Sequence, residues 1–177
     1  MSRSLAAGLA LSLALSSATA LPAYADSDEA FFQRVSGTWS GPGEIVAGKF
    51  KGTKFVCNFE GAEHARNVGV ALDGSCRVGL FSQAMRAEVV RSGRSYRGAF
   101  QDGAAGKGLD IVSGDVRGDK IVVGLDRKQL KGAMVARLDG DDALAITISV
   151  KVQSQLVPVI GMNLKREGAT RQSALSN

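Results

Sequence analysis

Few side chains in this sequence are of types that do chemistry, and their spacing limits what they could do. His64 is the only histidine, and it follows Glu60-Gly61-Ala62-Glu63 in what the pattern makes a hairpin loop. Glu60, Glu63 and His64 together could hold a divalent ion weakly. His64 could also serve a Ser/His/Asp relay, but no G-x-S-x-G turn accompanies it and the α/β scaffold of such enzymes is missing. Cys57 and Cys76 lack the C-x-x-C spacing of a redox site. Asp139, Asp141 and Asp142 crowd one turn, yet the further oxygen ligands and closing Glu of a calcium loop are not there, so turn chemistry accounts for them. Gly103 to Gly108 (GAAGKG) has Gly108 where a phosphate loop needs Ser or Thr, and reads as a flexible loop. Gly41-Pro42-Gly43 lacks the third glycine of a dinucleotide fingerprint and reads as a bend in a strand. The residue types therefore offer no catalytic set and no metal site.

Arginines supply the remaining candidates. Arg91, Arg94 and Arg97 crowd one hairpin, with Arg77 and Arg86 near in sequence, and Arg127, Lys128 and Lys131 make a second group. Either could take the phosphate or carboxylate head of an amphiphile, although a solvated charged face is the commoner meaning of such clusters.

What positions these residues begins with an export signal. Arg3 precedes the uncharged run Leu5 to Leu15, and Ala23-Tyr24-Ala25 forms a small-residue processing site before the acidic Asp26-Ser27-Asp28-Glu29. That order marks residues 1–25 as a cleaved signal peptide and the protein as periplasmic or secreted. The apolar run falls short of the roughly 20 residues that span a bilayer, so no transmembrane anchor is expected after cleavage. Cleavage after Ala25 leaves 152 of the 177 residues, enough for one domain. It also leaves 21 basic against 17 acidic residues, a net charge of +4. Runs of five or more basic residues are absent, which argues against nucleic acid as a partner. In an oxidising compartment the even pair Cys57 and Cys76 is expected to form a disulfide.

The elements emerge from periodicity. Residues 26–36 read as an N-terminal helix, with acidic residues in its first turn and Phe31 or Phe32 placed to plug one end of the strand assembly beyond it. Alternation with period 2 then runs through Phe55, Cys57 and Phe59, then Val68, Val70 and Leu72, then Met85, Ala87 and Val89. It continues through Tyr96, Gly98 and Phe100, then Ile121, Val123 and Leu125, and over Leu144 to Val152. Such alternation builds strands with one buried and one wet face, and puts Cys57 on the core side. Asp73-Gly74, Ser92-Gly93, Gly118-Asp119 and Asp139-Gly140 punctuate the runs as hairpin turns. The predicted fold is all-β: one antiparallel up-and-down β-barrel of about eight to ten strands over residues 37–166, with a polar tail at 167–177. The 22 glycines suit strands that must coil to close. Leu156 to Leu164 is apolar on both faces, and so either a strand covered on both sides or an exposed apolar surface.

A short helix followed by Gly37-Thr38-Trp39 resembles the opening of lipocalins and other calycins. In those proteins the Trp closes the base of an eight-stranded barrel and a basic residue on the last strand covers it. That resemblance implies the role for Trp39, with Lys165 or Arg166 as the cover. It also raises His64 as a haem ligand, against its reading as a solvated loop residue. The Thr-Asp-Tyr motif of lipocalins is missing. Over its full length the chain resembles small exported proteins of unknown function from alphaproteobacterial envelopes, a likeness that brings no catalytic residues and no cofactor. The function expected is a non-catalytic periplasmic protein that binds a hydrophobic or amphipathic small molecule, with Trp39, Phe55, Phe59, Tyr96, Phe100 and Ile148 lining the barrel and Arg91, Arg94 and Arg97 taking an anionic head. The alternative is a structural or interaction protein of the envelope with a filled barrel. Its partners would be anionic lipid, lipopolysaccharide or wall polymer.

Overall fold

Among the described residues ten strands come after one helix, and each strand pairs with its neighbours in the chain. The computed structural model describes residues 23–101, 109–127 and 130–168, with side chains described from Ser27 onward. Most of the expected signal peptide, the GAAGKG loop, Lys128 and most of the polar tail lie outside the described residues. The elements are α1 (Ala23–Val35), β1 (Gly37–Ile45), β2 (Lys54–Glu63), β3 (Gly69–Val78), β4 (Phe81–Ser92) and β5 (Ser95–Gln101). They continue with β6 (Leu109–Arg117), β7 (Lys120–Arg127), β8 (Leu130–Asp139), β9 (Ala143–Val152) and β10 (Gln155–Arg166). The strands form a closed antiparallel barrel in which β1 pairs with both β2 and β10. This is the up-and-down barrel that the alternation predicts, at the upper end of the expected strand count. The turn expected at Asp73-Gly74 is not one: both residues lie inside β3, paired with β2 and β4, and Gly74 serves close approach instead, since a Cβ on it would lie 2.0 Å from the Asn58 carbonyl oxygen.

Alternation sorts side chains as the pattern requires. Cys57, Phe59, Val89, Val123, Ile146 and Leu164 are buried, whereas Asn58, Glu60, Asp73, Arg86, Arg137 and Lys165 face water. No polar or charged side chain is fully buried among the described residues. An outer-membrane barrel carries an apolar band outside and a polar lumen, so this barrel has the reverse polarity.

Closure bends the sheet, and glycine permits the bend. A Cβ on Gly98 would lie 1.8 Å from the carbonyl oxygen of Glu88 on the paired strand. Only a residue without a side chain lets β4 and β5 approach so closely. The segment read as a bend at Gly41-Pro42-Gly43 lies within β1, where Pro42 stands opposite Val56. β10 carries the doubly apolar segment, with an irregularity in register between Pro158 and Ile160.

The predicted disulfide joins β2 to β3. Cys57 and Cys76 sit directly opposite each other and are bonded, with Cα atoms 4.0 Å apart. Cys57 is fully buried against Met162, on the core side as its periodicity requires. A loop of this size contributes about 3 kcal/mol by restricting the unfolded chain.

Candidate functional site

The barrel has two unlike ends, and the helix distinguishes them. α1 lies across the end at which β1 begins, and both Phe31 and Phe32 are buried there. Their rings meet edge to face at 5.3 Å, and Phe32 continues onto Tyr96 at 5.2 Å. Trp39, fully buried at the start of β1, donates its indole N–H to the Val35 carbonyl at 2.7 Å. Arg166 at the end of β10 lies over the indole, 4.3 Å from the ring centroid. Its guanidinium donates to the Ser36 and Asp141 carbonyls, each at 2.7 Å, and to the Arg34 carbonyl. One cation thus satisfies carbonyls that the helix C-terminus leaves free and covers the aromatic ring beneath them. Of the two basic residues expected as the cover, Arg166 holds the place and Lys165 faces solvent. Gly37 explains itself here: its φ is +114°, and a Cβ on it would lie 2.5 Å from the Arg166 guanidinium.

Two further ion-pair groups pin the helix to the hairpins. Arg34 reaches Asp119 in the β6–β7 turn and Asp141 in the β8–β9 turn, at 2.5 and 2.9 Å. Asp28 accepts from Arg91 at 2.6 Å and from the Tyr96 hydroxyl at 2.7 Å. Burial first, and then the Asp28 hydrogen bond, push the Tyr96 phenol up to about 12.

Inside the sealed end lies a small, wholly apolar cavity of about 60 Å³. Helix residues Phe31, Phe32 and Val35 form its floor, and Trp39, Phe59 and Phe100 contribute from the wall. Sites for small molecules generally run to about 300–1,000 Å³, and an apolar cavity of about 150 Å³ can take up benzene. The interior is therefore mostly filled by side chains.

No protein-family model matches the chain, and no curated protein matches it. Several solved structures resemble it, two of which follow. Rv2717c from M. tuberculosis aligns with a TM-score of 0.59 and 16% identity, over 79% of this chain and 97% of its own. A DUF3598-family protein of unknown function from Nostoc punctiforme aligns with a TM-score of 0.49 and 10% identity, over 76% of this chain and 48% of its own. At such identities the first match shows a shared fold, and the second carries no argument.

The six side chains expected to line the barrel are divided by the structure. Trp39, Phe59 and Phe100 border the cavity. Tyr96 is turned to the helix by its hydroxyl, Ile148 is packed in the core, and Phe55 packs against that core from a half-buried position. The arginine trio does not converge as an anion site. Arg91 stands opposite Tyr96 and is bonded to Asp28, whereas Arg97 stands opposite Val90 and is exposed, and Arg94 is exposed in the turn. Neighbouring positions on a strand point to opposite faces, so Arg91 and Arg97 cannot grip one anion.

His64 lies in the β2–β3 loop, its Nε2 3.5 Å from Glu88, and takes no part in lining the cavity. That placement does not suit a ligand to haem held within the barrel. Among the described residues no group of three His, Cys, Asp or Glu side chains converges on a metal position, so Glu60, Glu63 and His64 are not brought together as one. Asp141 serves the β8–β9 turn and Arg34, as turn chemistry implies.

The opposite end was foreshadowed only at Leu156, in the doubly apolar segment. Three loops that are neighbours around its rim expose apolar side chains: Phe50 between β1 and β2, Leu80 and Phe81 between β3 and β4, and Val152 and Leu156 beside the β9–β10 turn. Leu80 is 99% exposed and Phe81 83%. At Leu80 and Phe81 the sequence signal was a pair of large apolar residues directly after a turn glycine, Gly79.

Proposed function

We propose that the protein is an exported, non-catalytic component of the cell envelope, a filled barrel that acts through its outer surface. The observation that carries this reading is the interior: about 60 Å³ of apolar space, less than half of an apolar cavity of about 150 Å³ that takes up benzene. The disulfide is compatible with an oxidising compartment, and the ordering of charge, apolar core and small residues in the first 25 positions supports export. Among the described residues, the ion pairs that hold α1 to the barrel come from Asp28 and Arg34, after the expected processing site. The decisive experiment is native mass spectrometry of protein purified from its own host, with N-terminal sequencing. A mass equal to the polypeptide beginning at Asp26, with one disulfide and no adduct, is the expected result. A chain that retains its first 25 residues refutes export.

A second reading, an apolar small molecule held in the barrel, is favoured by one observation: the cavity lining has no polar atom, and Trp39, Phe59 and Phe100 border it. A fatty acid or a haem requires the floor of Phe31 and Phe32 to move. Co-purification of such a molecule at one per chain establishes this reading over the first.

A further inference from the structure

We infer that the end of the barrel opposite α1 docks on a bilayer surface containing anionic lipid. This rests on the reading of the barrel as a scaffold that works through its exterior, and it names the partner. The rim combines two properties that polar solvent does not explain. Phe50, Leu80, Phe81, Val152 and Leu156 are each more than half exposed, and they occupy three consecutive loops of one end. Large exposed apolar patches on a small domain mark contact surfaces. Leu80 and Phe81 form the turn end of the β3–β4 hairpin, past Arg77, the last residue of β3 that pairs with β2. Both side chains are open to solvent there.

Charge selects the occupant. The same three loops and their strand ends carry Lys49, Lys51, Lys54, Arg77 and Lys151, all exposed, against Glu44 alone. The ammonium of Lys49 rests 5.6 Å from the Phe50 ring centroid, so apolar and cationic groups share one loop. At the helix end, by contrast, Arg34 and Arg91 are neutralised by Asp119, Asp141 and Asp28. Among the described residues, these three loops thus set five exposed cations and a single carboxylate beside the exposed apolar tips. Aromatic and aliphatic side chains that enter the interfacial layer while lysines meet lipid phosphates is the pattern of a peripheral membrane contact. A second copy of the chain would set these lysines against one another, which like-charge repulsion opposes.

The test is co-sedimentation of the purified protein with vesicles of phosphatidylcholine alone and of phosphatidylcholine mixed with phosphatidylglycerol. The expected result is binding to the mixed vesicles only, weakened by added salt. The double variant Leu80→Ser/Phe81→Ser should reduce that binding by roughly tenfold, as should Lys49→Glu/Lys51→Glu. Both pairs are exposed, so thermal unfolding should match the parent protein. Arg94→Glu, at the helix end, should bind like the parent. All variants are compared with the same N-terminus, established by mass, so differences among them report the rim. Equal binding by the double variants overturns the proposal, as does absence of binding to the mixed vesicles. Release of the protein by inorganic phosphate at the same ionic strength as an ineffective chloride control also overturns it, assigning the site to free phosphate. A concentration-dependent dimer abolished by Leu80→Ser/Phe81→Ser, without vesicle binding, assigns the surface to self-association instead. Failure here with an adduct-free mass leaves the scaffold reading standing.

Discussion

Arg166→Met removes the charge and the hydrogen-bonding fork from the sealed end while keeping an unbranched side chain over Trp39. The loss can be worked from the geometry. Three backbone carbonyls, of Arg34, Ser36 and Asp141, lose a charged donor. They lie near the surface and recover water, so each costs about 0.5–1 kcal/mol, less than a fully buried charged hydrogen bond. The cation over the indole adds about 1 kcal/mol. The total is about 3 kcal/mol, equivalent to a fall in Tm of about 6–12 °C for a domain of this size. Trp39 is the only tryptophan and is fully buried, so urea unfolding followed by its fluorescence reads the site itself. Arg166→Lys should keep the charge but satisfy fewer carbonyls, and lose about half as much. A loss below about 1 kcal/mol for Met, or complete rescue by Lys, would refute the account of Arg166 as the residue that ties helix, Trp39 and last strand together.

Three other expectations are independent of it. Cys57→Ala/Cys76→Ala should lose about 3 kcal/mol in urea unfolding, and the unreduced parent should show no thiol reactive to Ellman's reagent after denaturation. Tyr96 has a folded pKa of about 12 against an ordinary value of 10.0, so its contribution is complete below pH 10 and lost as pH rises through 12. Tyrosinate absorbance and helix content measured together above pH 10 should change in step, and Tyr96→Phe should remove the coupling. Gly98→Ala places a carbon against the Glu88 carbonyl and should cost about 1–3 kcal/mol, whereas Gly93→Ala, in an open turn with a φ of +63°, should cost about 1 kcal/mol.

Strands and core were legible because burial on one face of a sheet writes a two-residue rhythm into the chain. That rhythm was enough to place Cys57 indoors and to find the turns at Gly93, Gly118 and Gly140. Trp39 was legible because one large aromatic beside a helix end has few other uses. The contacts of Arg34 and Arg91 were not, since their partners lie 63 to 107 residues away and no periodicity links them. The grouping of Arg91 with Arg97 failed because closeness in sequence was allowed to outweigh alternation across the hairpin. The exposed tip at Leu80 and Phe81 was hidden for another reason: large apolar residues at the end of a strand pattern read as interior although they lie past the last pairing of β3 with β2.

Every strand but one pair meets its neighbour across a short connection, and that ordering has a kinetic meaning. Hairpins from β2 through β9 can zip locally, with little chain entropy lost at each step. Joining β1 to β10 alone brings together residues as far apart as Trp39 and Arg166. Until that seam shuts, two strand edges stand unpaired and invite intermolecular addition. A chain truncated before Gln155 should therefore be aggregation-prone rather than merely less stable, its nine remaining strands forming an open sheet with no last member to complete the ring.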